Sequence, residues 1–375
     1  NGMWILPRMN LNLTDEQTLL RDSMAKLFAA ESSCERVRQA ESTGFDPDLW
    51  QQMHLAGIPF MRVPEATGGL GSSLLDTLLV AEQAGRYLAS APVAETLVAN
   101  RLLALLATDT ESAALLDRVL AGSVISIALQ EVIDDTPQVV TGLATAEAVL
   151  ALEGENVWIV ENAGASTTEP NLGSTATGRL NLGENRTLLA NGSAAREAFE
   201  AAIEEWKLIT ASMLFGLAQR GLEMAAEYSR ERTAFGRPIG SFQGIAHRLA
   251  DAITEIEGAQ LLNWRTASAL CRGEPHAVAL VSMAFWWSSQ AASMAMAGAL
   301  HTYGGYGMSM EYDIQLYYRR AKAWALPAGD PQRELNRIAE RMWFAEKSRT
   351  CLLYTSDAAD DRPRVLISGG AGSLE

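Results

Sequence analysis

Tyr228-Ser-Arg-Glu-Arg232-Thr-Ala-Phe235-Gly236-Arg237-Pro238-Ile239-Gly240-Ser-Phe242-Gln243 decides how this chain folds. The helical pattern leading into it runs out near Arg232. Gly236-Arg237-Pro238 then makes a turn, because glycine tolerates the left-handed backbone and proline cannot continue a helix. A new helix is expected from about Ser241. One corner therefore gathers a cation (Arg232), an aromatic face (Phe235) and an amide donor (Gln243). Those groups suit a nucleotide diphosphate beside a planar ring. The plainer alternative is a helix-turn-helix corner carrying a surface arginine.

Outward from that corner, long helical patterns fill residues 194–349. Upstream, residues 124–129, 148–152 and 157–160 are short apolar runs with β-branched residues, broken by Gly, Asn, Asp and Thr, and they predict strands. The first hundred residues predict helices again. Thr14-Asp15-Glu16-Gln17 and Asp46-Pro47-Asp48 look like helix starts, and two more helices are expected over 73–87 and 93–106. Helices, then strands, then helices imply segregated layers in place of an alternating βαβ sheet. The expected organisation is a mainly α protein with a β middle domain: a helical domain over 9–121, a β domain over 122–193 and a helical bundle over 194–350. Residues 275–310 contain no Asp, Glu, Lys or Arg. Serines interrupt that run, and a helix apolar on all sides is what a bundle centre requires, so no membrane span is expected.

Composition narrows the function. The formal net charge of −15, with no basic stripe, argues against nucleic acid as a partner. Cys34, Cys271 and Cys351 lie far apart with no metal-type spacing, and they are expected to be reduced thiols of a cytoplasmic protein. Met9 makes a more natural start than Asn1. The stretch from Cys351 has no helical period and resembles a translated sequencing adapter, so residues 351–375 are expected to contribute nothing to the fold.

Two further motifs join the first. Val63-Pro64-Glu65-Ala66-Thr67-Gly68-Gly69-Leu70-Gly71 follows a Leu-Trp helix, and His301-Thr-Tyr-Gly304-Gly305-Tyr306-Gly307 leads into Glu311 and then Arg319-Arg320-Ala-Lys322. With RxxFGxPIxxFQ, they make the chain resemble the acyl-CoA dehydrogenases over roughly residues 9–350. The wording from Gly305 through Lys322 is close to the heteromeric branch of bacterial steroid and side-chain catabolism. The resemblance implies a helical domain, a small β-barrel-like domain and a C-terminal four-helix bundle. It further implies α,β-dehydrogenation of an acyl-CoA substrate with FAD as cofactor, an electron-transfer flavoprotein as acceptor, and a homo- or hetero-oligomer sharing FAD across an interface. Arg232 would pair with the pyrophosphate, Phe235 would pack near it and Gln243 would donate a hydrogen bond. Gly304 and Gly305 would let the cofactor approach, and His301 stands where the family usually has Gln. Glu311, Arg319 and Arg320 are expected to form structural ion pairs.

The pattern breaks where the base should be. Removing the α proton needs a carboxylate. Counted from Lys322, its usual place holds Ala328, with Asp330 two residues on. The alternative place, on the first bundle helix, falls at about Trp206. Glu205 beside it is the candidate base, and its plainer reading is a solvated face shared with Glu200, Glu204 and Lys207. Thr168-Glu169-Pro170-Asn-Leu-Gly173-Ser174 imitates a flavin-binding loop out of order and is expected to be an exposed polar loop. Three readings stay open: a dehydrogenase, a non-catalytic subunit completing a partner's FAD site, and a flavin-free helical scaffold.

Overall fold

The computed structural model describes residues 11–133, 136–161, 168–183 and 185–344. Met9 and residues 351–375 lie outside them, so the expectations about the two ends lie outside the described residues.

Among the described residues six α-helices come first: α1 (Asp15–Glu31), α2 (Cys34–Gln39), α3 (Pro47–Leu55), α4 (Leu74–Arg86), α5 (Val93–Leu106) and α6 (Thr110–Leu120). Their starts follow from side-chain chemistry. Thr14 and Gln17 form a reciprocal capping box, and Asp46 accepts from two backbone N–H groups ahead of Pro47. Helix α5 is buried continuously from Val93 to Ala104, which makes it the floor on which the next layer rests.

The β layer is a four-stranded sheet in the order β1 (Ile125–Ile127), β3 (Ala148–Glu153), β4 (Asn156–Glu161), β6 (Arg186–Asn191), beside a two-stranded pair of β2 (Gln138–Thr141) and β5 (Thr177–Leu180). The β1–β3 pairing is parallel, and β4 meets β6 across a bulge at Val157/Trp158. The apolar runs predicted β1, β3 and β4. Strands β2, β5 and β6 escaped because their sequences mix Gln, Thr, Gly, Arg and Asn, and they are strands through pairing rather than apolar content.

The last layer is built on α7 (Ser193–Glu231), followed by a hairpin of β7 (Thr233–Ala234) and β8 (Arg237–Pro238), then α8 (Gln243–Cys271), α9 (Ala277–Tyr303), α10 (Ile314–Ala323) and α11 (Arg333–Ala339). The uncharged run becomes α9, packed between α7 and α8 with Ala279, Val281, Ala284 and Met296 fully buried. Its buried hydroxyls are satisfied, Ser282 donating to Glu334 at 2.6 Å and Ser289 to the Phe285 carbonyl at 2.6 Å. Among the described residues no helix is long and apolar enough to cross a membrane.

Helices α4 and α7 touch backbone to backbone through two glycines. A Cβ on Gly85 would stand 1.9 Å from the Met213 carbonyl oxygen, and one on Gly216 would stand 1.8 Å from the Glu82 carbonyl oxygen. Gly216→Ala must push the helices apart. Overpacking of this kind costs typically about 1–3 kcal/mol, read as a lower urea midpoint at unchanged slope.

The same junction holds a buried acid. Glu82 is 2% exposed, and it accepts from Trp264 Nε1 at 2.7 Å and Gln260 Nε2 at 3.1 Å across the α4–α8 contact. Burial pushes its pKa up to about 8, against those two hydrogen bonds and the charge of Arg21. The folded state then holds a proton that the unfolded chain gives up above its ordinary value of 4.5. The contribution is complete below about 4.5 and is lost as pH rises toward about 8. Thermal melts should therefore show a stability loss through that window that disappears in Glu82→Gln, which keeps the shape but carries no proton to lose.

Candidate functional site

Chemistry-bearing residues collect in two separate places. The first is a cavity of about 540 Å³ where the three layers meet. The loop before α5 forms one wall, β2 and the 171–177 loop a second, and α7 with the end of α10 a third. Glu41, between α2 and α3, fastens these walls. It pairs with Arg319, accepts from Ser174 Oγ at 3.3 Å and lies 3.6 Å from Arg320 Nη1. Arg319 and Arg320 thus meet their expected ion-pairing role, whereas Glu311 is exposed with no ion pair among the described residues. Burial draws the Arg320 pKa down to about 10.

The Thr168–Ser174 stretch is exposed at Glu169, Pro170, Asn171 and Leu172, as expected of a polar loop, while Gly173 and Ser174 are buried. Asn171, Leu172, Gly173 and Ser174 line the cavity, and the loop is fixed by its own bonds, Asn171 Nδ2 donating to the Thr175 carbonyl at 2.7 Å. Loop polarity alone did not show that the same stretch also borders the cavity.

Trp206 also lines the cavity, donating through Nε1 to Glu95 Oε1 at 3.1 Å. Glu205 does not line it. Successive residues on a helix point about 100° apart, so one position of offset turns the carboxylate away from the cavity. Glu205 is 1% exposed and held between Arg62 Nε at 2.7 Å and Arg101 Nη1 at 2.8 Å. Burial pushes its pKa up, but the two guanidiniums outweigh that, and it ends below the ordinary carboxylate range. The solvated-face reading differs from the structure as well. Glu204 and Lys207 are buried and paired at 2.8 Å, with Arg341 on Glu204 and Glu334 on Lys207. What the sequence presented as a charged surface is an ionic layer inside the bundle. Ala328 is half-buried, and Asp330 is exposed, accepting from the Gln332 backbone N–H at 2.9 Å. Neither lines the cavity.

The second place is the exposed end of the bundle, where the other sequence-predicted residues lie. Arg232 caps the end of α7, and its guanidinium stands 5.7 Å over the Tyr306 ring, joining the hairpin to the glycine turn after α9. Tyr228 stacks on Tyr303 at 4.1 Å, fixing α7 against α9 just behind them. Phe235 and Gly236 at the hairpin tip both have positive φ, 50° and 77°. Glycine accepts that geometry freely, whereas a phenylalanine there is strained. Phe235 is nonetheless 96% exposed, touching Phe242 edge-on at 6.1 Å. Gln243 begins α8, and His301 is exposed in the last turn of α9. Gly304 has φ 59° and ψ −136°, a conformation that disfavours side chains, and a Cβ on Gly304 or Gly305 would meet open space. None of these six residues lines the cavity. Glu95 and Trp206 as a pair were the features missed from sequence. Glu95 is the single acid in the apolar run of α5, which was the available signal.

Residues 14–123 match the acyl-CoA dehydrogenase N-terminal domain and residues 196–343 match the C-terminal domain. Acyl-CoA dehydrogenase IpdE2 of Mycobacterium tuberculosis is 30% identical over 334 residues, covering 88% of this chain and 98% of that protein. Its namesake from Mycolicibacterium smegmatis is 28% identical over 329 residues, covering 87% and 98%. Among solved structures, the steroid acyl-CoA dehydrogenase Tcur3481-Tcur3483 superposes with a TM-score of 0.77 at 26% identity, covering 87% of this chain and 97% of that one.

Proposed function

Because the chain belongs to the acyl-CoA dehydrogenase family, whose members are FAD-binding flavoproteins, we propose that it is one subunit of a heteromeric dehydrogenase acting on a CoA thioester. In that assembly it completes an FAD site shared with an unlike subunit, and the unlike subunit supplies the base. The observation that carries this is Trp206. It lines the cavity at about the position that the family resemblance gives to the base, while Glu205 is locked into two ion pairs and Ala328 has no acid to offer.

The residues at the exposed corner fit the cofactor. Arg232 offers an accessible guanidinium to a pyrophosphate, Gln243 an accessible amide, and Gly304 and Gly305 an edge free of side chains. When bound, the flavin supplies the hydride acceptor. This chain's own part is to hold the diphosphate by charge, to cover it with Phe235 and to present His301 as a further donor. A strained, solvent-facing aromatic is stabilised once an assembly buries it, which supports a partner covering Phe235. Tcur3481-Tcur3483, the solved relative described as a steroid enzyme, supports a paired assembly and a steroid-derived or side-chain acyl group. An electron-transferring flavoprotein is the acceptor in this reading.

The test is to purify the chain alone and with its partner subunit, then quantify flavin and turnover. Flavin and activity should appear only in the pair. Stoichiometric flavin with turnover in the chain alone would overturn the proposal in favour of a self-sufficient dehydrogenase.

A further inference from the structure

The exposed end of the bundle carries more cations than the proposed flavin contact uses. Residues 228–251 hold Arg230, Arg232, Arg237 and Arg248 against two acids, Glu231 and Asp251, in a chain whose net charge is −15. All four arginines are exposed, and among the described residues no carboxylate pairs with any of them. Elsewhere the described arginines are ion-paired, Arg333 excepted. Unpaired guanidiniums are thus concentrated at one corner of an acidic protein.

Their settings differ. Arg230 lies in the last turn of α7, where the helix dipole favours a cation. Arg237 stands 4.2 Å over the Phe242 ring, at the start of α8. That helix begins with no side-chain cap and no acid in its first turn, so Arg237 faces the positive end of the dipole with nothing to offset it. A Cβ on Gly298 would stand 3.3 Å from Arg248 Cδ, so the Arg248 stem rests on α9 while the residue as a whole stays exposed. Beside these cations are the exposed apolar side chains of Phe235, Tyr306 and Met308. Arginine among Phe, Tyr and Met is the composition of a protein interface.

We propose that Arg237 and Arg248, with Arg230, form an acid-seeking docking surface whose occupant is a carboxylate-bearing face of the unlike subunit. The inference rests on the reading of this chain as one half of a shared flavin site, because the surface is continuous with Arg232 and Phe235. It adds that cations other than the one assigned to the pyrophosphate recruit the partner. Carboxylates set on Arg237 and Arg248 would relieve the local repulsion and neutralise guanidiniums that this chain leaves open.

The test measures affinity between the full chain and the unlike subunit that co-purifies with it, at about 50 and about 300 mM NaCl. Pairing should weaken roughly tenfold or more at the higher salt, as screened surface charges require. Arg237→Glu with Arg248→Glu, leaving Arg232 intact, should weaken pairing at low salt by at least about 10²-fold, since acids would then face acids. The corresponding double Gln variant should fall between, with a shallower salt dependence. Flavin per formed pair, read at concentrations that saturate pairing, should match the parent in both variants. Salt-insensitive pairing, or a double Glu variant that pairs like the parent, would overturn the surface while the shared flavin stands on its own measurement. Flavin lost from fully formed pairs of the Gln variant would overturn it by giving these arginines to the cofactor. Salt-sensitive self-association of the chain alone, abolished by the Glu variant, would overturn it in favour of a second copy. No pairing at all would sink both this surface and the reading beneath it. Far-ultraviolet circular dichroism and thermal melts confirm that each variant is folded.

Discussion

Glu205→Gln should destabilise the protein by about 3–5 kcal/mol, the usual cost of removing one partner from a buried ion pair. The carboxylate is 1% exposed and satisfies two guanidiniums at once, Arg62 and Arg101, which reach it from the segment before α4 and from α5. Replacing it with an amide leaves both cations facing a neutral group inside the protein. Urea unfolding should show the loss directly, and turnover per folded assembly should stay within about twofold. The opposite result, unchanged stability with turnover reduced by at least about 10²-fold, is what a general base would give. That outcome would return Glu205 to the chemistry.

The second large effect belongs to Arg232. Its guanidinium is exposed above Tyr306 at the hairpin corner and is free to meet an anion. If it holds the shared pyrophosphate, Arg232→Ala should weaken flavin retention in the assembly by about 1.5–3 kcal/mol, the range for a hydrogen bond to a charged group. Arg232→Lys should recover only part of this, since a single ammonium cannot reproduce the planar fork. Flavin released against dilution, followed by absorbance, measures it. Retention identical to the parent assembly would take Arg232 out of the site.

Much of the fold could be read from the sequence, and the reasons are local. Val93–Leu106 was predicted with both ends correct, because a long apolar period followed by a break needs no tertiary information. The corner at Arg232 was legible because Gly236 and Pro238 constrain the backbone by themselves. The strands β2 and β5 were not, since Gln138–Thr141 and Thr177–Leu180 acquire their state only by pairing with each other. The candidate site divides along the same line. The exposed corner is a contiguous motif and could be named residue by residue. The cavity is assembled from α5, α7, α10 and a loop that are distant in sequence, so neither the Trp206–Glu95 bond nor the inward side of the 171–177 loop had a local signature. Glu205 shows the limit most sharply. A single residue of register on α7 separates a cavity wall from an ionic layer, and counting along a sequence resolves position less finely than that.

The glycine contact between α4 and α7 also decides how a ligand can get in. Gly85 sits against the Met213 carbonyl and Gly216 against the Glu82 carbonyl, so each helix carries a notch that the other's backbone occupies. Two notches facing opposite ways act as a steric key. Neither helix can slide or roll without driving backbone into backbone, which closes off a hinge between the first helical layer and the bundle. The cavity's entrance must then be worked from its other side. There Gly173 of the 171–177 loop faces the side chains of Ala323 and Trp324, and a few rotamer changes cost far less than unseating a helix.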